Sequence, residues 1–180
     1  MIKTATYITT FTNRKINPLD PNPDDINLLD ICHHLGNICR FTGAVRKFYS
    51  VAEHSCRLHD LVSPPQRLRA LLHDASEGYT FDLASPVKAC EEMDLFREIE
   101  DNLTRIIYNK FGILGEDPEE LHFFDKSLRA TEQRDLMPPG SMNGDYSPIE
   151  DYPYIRPWTP EESKYGMIDR LKKLGIEVKR

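Results

Sequence analysis

Leu71-Leu72-His73-Asp74-Ala75-Ser76-Glu77 sets an imidazole beside a carboxylate in a segment that is otherwise largely apolar. Leu68, Leu71, Leu72 and Ala75 recur at helical spacing, so the stretch reads as the buried face of a helix. Neighbouring helical side chains point about 100° apart, so His73 and Asp74 cannot simply stack. A shared metal ion would account for such a pair among apolar neighbours. Glu77, three residues after Asp74, returns to nearly the same face and could reach a metal-bound water without being a ligand.

Upstream, Ser63-Pro64-Pro65-Gln66 opens this helix. Before it, Ser50-Val51-Ala52-Glu53 reads as a capping box, which sets His54 near the first turn of a helix running to about Leu61. Taken alone, His54 suits a structural role as well as a ligand role. Asn22-Pro23-Asp24-Asp25 starts an earlier helix, with Ile26, Leu29, Leu35 and Ile38 on its apolar stripe to about Cys39. His33 and His34 lie in it without an acidic or cysteine partner at ligand spacing, and read as surface or satisfied core residues. Residues 1 to 21 read as an extended arm, with a short strand at 5 to 11. Gly43, in Arg40-Phe41-Thr42-Gly43, ends the first helical pattern.

Downstream, residues 78 to 85 form a break that holds Thr80 and Asp82, and Ser85-Pro86 opens a short helix with Lys88 in its first turn. A long helix over 91 to 110 puts Met93, Phe96, Ile99, Leu103, Ile106 and Ile107 on one side, and Gly112 closes it. Asp117-Pro118-Glu119-Glu120 starts the next, with Leu121, Phe124 and Leu128 inward and Asp125 beside them. A carboxylate there needs a partner, because an isolated buried charge costs several kcal/mol. Residues 137 to 158 are rich in Pro, Gly, Asn and Tyr. They read as an irregular segment packed over the bundle by Tyr146, Tyr152, Tyr154 and Trp158. Thr159-Pro160-Glu161-Glu162 caps a last helix over 159 to 174. The expected fold is all-α, a compact bundle of about six helices forming one domain over 1 to 180.

Composition fits that reading. A chain of 180 residues with 39% hydrophobic and 29% charged residues can bury one sizeable core. No run suits a transmembrane helix, and no signal-peptide pattern opens the chain. The four cysteines form no CxxC pair and are expected to be reduced thiols in the cytoplasm. A net charge of −6 disfavours stable binding of duplex nucleic acid, while a small anionic substrate remains compatible with local cations and a metal.

His54, His73, Asp74 and Asp125 stand out as a set, each on or beside a predicted helix. Two imidazoles and two carboxylates suit a divalent transition metal with open positions for water and substrate. Such an ion lowers the pKa of bound water and polarises a phosphoryl oxygen, and Glu77 could take or deliver the proton. Zn, Co and Mn all fit this donor set.

These residues carry a resemblance. The chain resembles the HD-domain phosphohydrolase superfamily, whose signature dipeptide is matched by His73-Asp74. Arg40-Phe41, Ala52-Glu53-His54-Ser55, His73-Asp74-Ala75-Ser76-Glu77, Thr80-Phe81-Asp82-Leu83 and Pro86-Val87-Lys88 are similar to bacterial 5′-deoxynucleotidases and to phage dATP triphosphohydrolases. The resemblance spans about residues 7 to 170. It implies His54, His73, Asp74 and Asp125 as metal ligands, and Glu77 as the acid beside the metal. It implies Asp82 as a second catalytic carboxylate, although by itself this residue reads equally as a loop-capping Asp. Arg40, Phe41, Thr42, Gly43, Thr80, Pro86 and Lys88 are implied as the substrate pocket. Phe41 stands where the family has Trp, and Gly43 falls where the phage enzymes carry a bulkier side chain. Lys88 also reads as a solvated helix residue, and Phe41 as plain core.

The expected activity is hydrolysis of dATP or related dNTPs to deoxynucleoside and triphosphate, by a phage-encoded enzyme that depletes dATP. A 5′-deoxynucleotidase acting on dNMPs and a non-catalytic metal- or nucleotide-binding protein are the alternatives. Related enzymes imply a homo-oligomer, from dimer to hexamer.

Overall fold

A computed structural model describes residues 6–142 and 146–179. The architecture is all-α apart from one small hairpin, in which β1 (Ile8–Thr9) pairs antiparallel with β2 (Lys15–Ile16). Of the strand expected over 5 to 11, only Ile8 and Thr9 pair, and Ala5 lies outside the described residues. The arm is anchored, not loose. Asp30 is fully buried and accepts from the Thr12 backbone N–H at 2.7 Å and from its hydroxyl at 2.8 Å, while Ile16 enters the core.

The helices are α1 (Leu28–Asn37), α2 (Val51–Leu61), α3 (Arg67–Leu72), α4 (Glu77–Thr80), α5 (Ser85–Lys88), α6 (Asp94–Lys110), α7 (Glu119–Leu136) and α8 (Pro160–Lys173). The first expected helix is split. Asn22 caps only a 3₁₀ turn, Pro23–Asp25, and Asn27 then caps α1 through the Leu29 N–H at 2.7 Å. The expected helix through Glu77 is also interrupted. The His73 ring takes the Ala70 carbonyl at 2.9 Å, α3 stops at Leu72, and i→i+3 bonds tighten the chain through Ala75, Glu77 and Gly78.

The caps differ in kind. Thr159 and Glu162 form the full reciprocal box at the start of α8. Ser50 caps α2 through the Glu53 N–H at 3.0 Å, but the Glu53 carboxylate does not reach back. It binds Arg57 and the Trp158 N–H instead, which ties the entry of α8 to α2. Ser63 offers its helix no side-chain cap, because its hydroxyl is spent on Glu120.

The main core lies where α1, α2, α3, α6 and α8 meet. Ile31, Leu35, Ala52, Leu71, Leu72, Leu103, Ile107, Met167 and Leu171 are all buried there. Residues 137 to 158 carry no helix or strand among those described, and 143–145 lie outside them. Ile155, fully buried against Tyr49 and Leu136, anchors this segment. Of the expected anchors Tyr146, Tyr152, Tyr154 and Trp158, Tyr152 and Trp158 are partly buried against the core, whereas Tyr146 and Tyr154 are exposed, Tyr154 using its hydroxyl on the Asp135 carbonyl. Among the described residues, no helix is long and apolar enough to cross a membrane.

α1 packs tightly on α8 at Gly36, where a Cβ would come within 2.9 Å of the Pro160 carbonyl oxygen. Alanine would gain about 1 kcal/mol in helix propensity, but a backbone oxygen cannot swing away as a side chain would, and overpacking costs about 1–3 kcal/mol. Gly36→Ala is therefore expected to lower the melting temperature, read by circular dichroism. An unchanged or raised value would show that the two helices separate freely.

Candidate metal centre

Three elements bring the four expected ligands together. Ser50 capping sets His54 on the first turn of α2, fully buried. The tightened turn after α3 presents His73 and Asp74, and α7 supplies Asp125. His54 Nε2 lies 3.1 Å from Asp125 Oδ1, and His73 Nε2 lies 3.1 Å from Asp74 Oδ2. The two rings are 5.3 Å apart, and ligand atoms of His54, His73 and Asp74 lie within 4.8 Å of one another. The Asp125 side chain is about one-third exposed, so the cluster opens outward there.

The hydrogen bonds decide which ring nitrogens are free. His73 Nδ1 faces the Ala70 carbonyl, which can only accept, so Nδ1 carries the hydrogen. His54 Nδ1 lies 2.7 Å from Glu132 Oε1, and the same reasoning holds. In the neutral rings both Nε2 lone pairs then point at carboxylate oxygens. Lone pair against lone pair is unfavourable unless a proton or a cation lies between them. His54 Nε2 is buried without a hydrogen-bond partner, as a ligand atom awaiting a cation would be. Donor types, tautomers and orphaned nitrogen all fit a divalent ion held by His54, His73 and Asp74, with Asp125 beside them against His54 Nε2.

The titration directions agree. Burial opposes a charged His73, but the Asp74 carboxylate outweighs it and carries the ring up to about 9. Burial and Arg40 likewise oppose a charged His54, while Glu132 and Asp125 raise it above its ordinary value. Burial would raise Asp125, yet His54 pulls it down to about 2.

Glu132 escaped the sequence reading. It is fully buried and gathers His54, the Tyr49 hydroxyl at 2.8 Å and, at 3.3 Å, Arg40 Nε. A signal for it exists. Glu132 stands seven residues after Asp125, two turns along the same helix face. Arg40 also reaches Asp74 Oδ2 at 3.5 Å, so it is a largely buried cation beside the cluster.

Glu77 is buried, with Oε2 unpartnered and Oε1 3.6 Å from Lys88 Nζ. Burial pushes its pKa well above the usual range, and Asp74 and Asp82 add to that. Asp82 is partly buried among Arg40, Asp74 and Lys88, and burial raises its pKa as well. Lys88 turns inward to Glu100 at 2.9 Å, so it is not a solvated helix residue. Thr80 lies 3.5 Å from the same Glu100. Glu100, also unforeseen, sits on the apolar side of α6 between Phe96 and Leu103, where a carboxylate is conspicuous.

The remaining expected pocket residues are less converged. Phe41, Thr42 and Gly43 are consecutive left-handed residues, with φ of 56°, 51° and 79°. Two of them are not glycine, so this turn holds backbone strain beside the cluster. The Phe41 ring centre lies 5.6 Å from the Arg40 guanidinium, and its half-buried position is not that of a core aromatic. Thr42 and Pro86 are exposed, and a Cβ on Gly43 would meet nothing within 4 Å. His34 binds the Gly78 carbonyl at 2.7 Å and accepts from the Phe11 N–H, and His33 stacks on Phe11 at 3.7 Å.

An all-α chain with a buried His/Asp cluster is thus the class that fold and site define. No family model matches the chain. It is 34% identical over 143 residues to the uncharacterized protein YfdR of Escherichia coli (strain K12), across 79% of this chain and 78% of that relative. An uncharacterized protein of Rhodobacter capsulatus is 37% identical over 111 residues, across 57% of this chain and 56% of that relative. The chain belongs to the family of YfdR.

Two outcomes follow from this geometry. The folded His73 holds its proton to about pH 9, against an ordinary 6.5. Its contribution to stability is complete below about 6.5 and is lost as pH rises through about 9. The melting temperature of chelator-treated protein should fall across that window, and saturating Zn²⁺ should flatten the fall by taking the proton's place. A flat profile without metal would contradict the His73–Asp74 pairing. Glu132→Gln should weaken Zn²⁺ binding about 10- to 100-fold in a chelator competition, since His54 loses its orienting charge. Unchanged affinity would remove Glu132 from that role.

Proposed function

We propose that this protein is an HD-type, metal-dependent deoxynucleotide phosphohydrolase. The observation that carries the reading is the convergence of His54, His73, Asp74 and Asp125 beside a buried Glu77 with an unpartnered carboxyl oxygen. A divalent ion, when bound, supplies Lewis-acid polarisation of a phosphoryl oxygen and a water of lowered pKa. Glu132 fixes the His54 ring and Ala70 fixes the His73 ring, so both nitrogen ligands are oriented in advance. Glu77 holds or moves a proton at its free oxygen, either from the attacking water or to the leaving 5′ oxygen. Arg40 is a fixed positive group beside Asp74 that faces developing phosphate charge.

For the substrate, dATP or another dNTP would be cleaved at the α-phosphate to deoxynucleoside and triphosphate. A specific observation favours a second reading, a 5′-deoxynucleotidase acting on dNMPs. A triphosphate tail calls for uncommitted cations beyond the α-phosphate, whereas Lys88 is engaged by Glu100 and Glu77, and Arg40 by Asp74 and Glu132. The open space at Gly43 admits purines with or without a 2-substituent. Self-association between dimer and hexamer, work in the bacterial cytoplasm and a phage origin belong to the same proposal.

Chromatography of products from each dNTP and dNMP, with Co²⁺, Mn²⁺ or Zn²⁺ supplied, tests it. Triphosphate release assigns the first reading, and phosphate release from dNMPs alone assigns the second. No turnover with any metal would sink both and favour a non-catalytic metal-binding protein. Glu77→Gln should lower kcat at least 100-fold while metal affinity persists. Unchanged kcat would remove Glu77 from proton transfer.

A further inference from the structure

A cleft of about 570 Å³ opens beside the C-terminal end of α7, apart from the cluster. Asp125 and Asp135 are ten residues apart on this continuous helix, about 15 Å along its axis. The cleft is therefore a second place on the molecule and not a wall of the metal centre.

Its charge is one-sided. Arg46, Lys47 and Arg156 line it, in a chain whose net charge is −6. The one lining carboxylate, Asp135, is already neutralised. Arg134 holds it through two bonds of 2.7 and 3.0 Å, and the Ile155 N–H donates to it at 2.9 Å. Arg46 donates to the Asp135 backbone carbonyl at 2.8 Å, a contact that positions the guanidinium without cancelling its charge. The Arg46 N–H donates to the Leu136 carbonyl, which fixes the loop that carries it. Among the described residues, the Lys47 and Arg156 side chains have no partner. Leu136 and Ile155 give the cleft an apolar floor.

Three cations lining one cleft, none matched by a free carboxylate, suit an anion of at least two charges. Two guanidinium forks fit the oxygens of a phosphate group, and Lys47 adds a point charge. The apolar floor suits an organic body attached to that group. We propose that this cleft binds a small phosphate-bearing molecule, independently of the metal centre and of any reaction there.

Calorimetric titration of the full chain with inorganic pyrophosphate, in chelator so that no metal contributes, tests this. Saturable one-to-one binding is expected. Lys47→Ala/Arg156→Ala should weaken it at least tenfold, and because both residues are exposed the variant should keep its circular dichroism spectrum and melting temperature. Lys88→Met, which removes a cation from the other site, should leave it unaltered. No saturable binding would overturn the proposal, as would binding that survives the double substitution or falls instead with Lys88→Met.

Discussion

The buried carboxylate of Glu132 is the constraint on which the site depends. Taking such a charge out of water costs several kcal/mol, and an unpaired one would not remain ionised. Here it is met by the Tyr49 hydroxyl, the His54 ring and the Arg40 guanidinium. Each comes from a different part of the chain from α7: the N-terminal turn of α2, and the two ends of the turn that precedes it. One oxygen pair therefore sets the angle of the His54 ring, the position of Arg40 and the docking of α7 on α2.

Four other carboxyl groups around the cluster are divided by their surroundings. Asp74 and Asp125 face histidines and stay ionised, with Asp74 held well below the ordinary carboxylate range by His73 once burial is outweighed. Glu77 and Asp82 face burial and like charge, and both are raised. That division separates groups suited to hold a cation from groups suited to hold a proton. Lys88, shared between Glu77 and Glu100, joins α5 to α6 across the same opening.

The outer parts of the chain are tied to this centre by a few polar side chains. Asp30 holds the arm on α1, and His34 bridges the Phe11 N–H to the Gly78 carbonyl, one residue beyond Glu77. Glu53 holds the start of α8 through the Trp158 N–H, and Asp135 holds the irregular segment through the Ile155 N–H. A buried or half-buried side chain oxygen that captures a backbone N–H fixes a loop with little apolar area, because leaving that donor unpaired would be costly.

Local pattern determined much of this protein. The all-α class, the α8 capping box, the apolar stripe of α6 and the set His54, His73, Asp74 and Asp125 are legible as spacing and residue type, since helical periodicity and ligand chemistry are short-range properties. The roles of Glu132 and Glu100 were not legible in the same way, although each stands on a helix face where a carboxylate is conspicuous. Their partners are 78, 83 and 92 residues from Glu132 and 12 and 20 from Glu100, and no local rule pairs them. The break after Leu72 was hidden too, because a ring nitrogen competing for one carbonyl leaves no compositional trace. Only the folded chain could decide which nitrogen of each histidine is free, and that Lys88 is committed to carboxylates. Both depend on what lies within about 3 Å in space, which the order of residues along the chain does not encode directly.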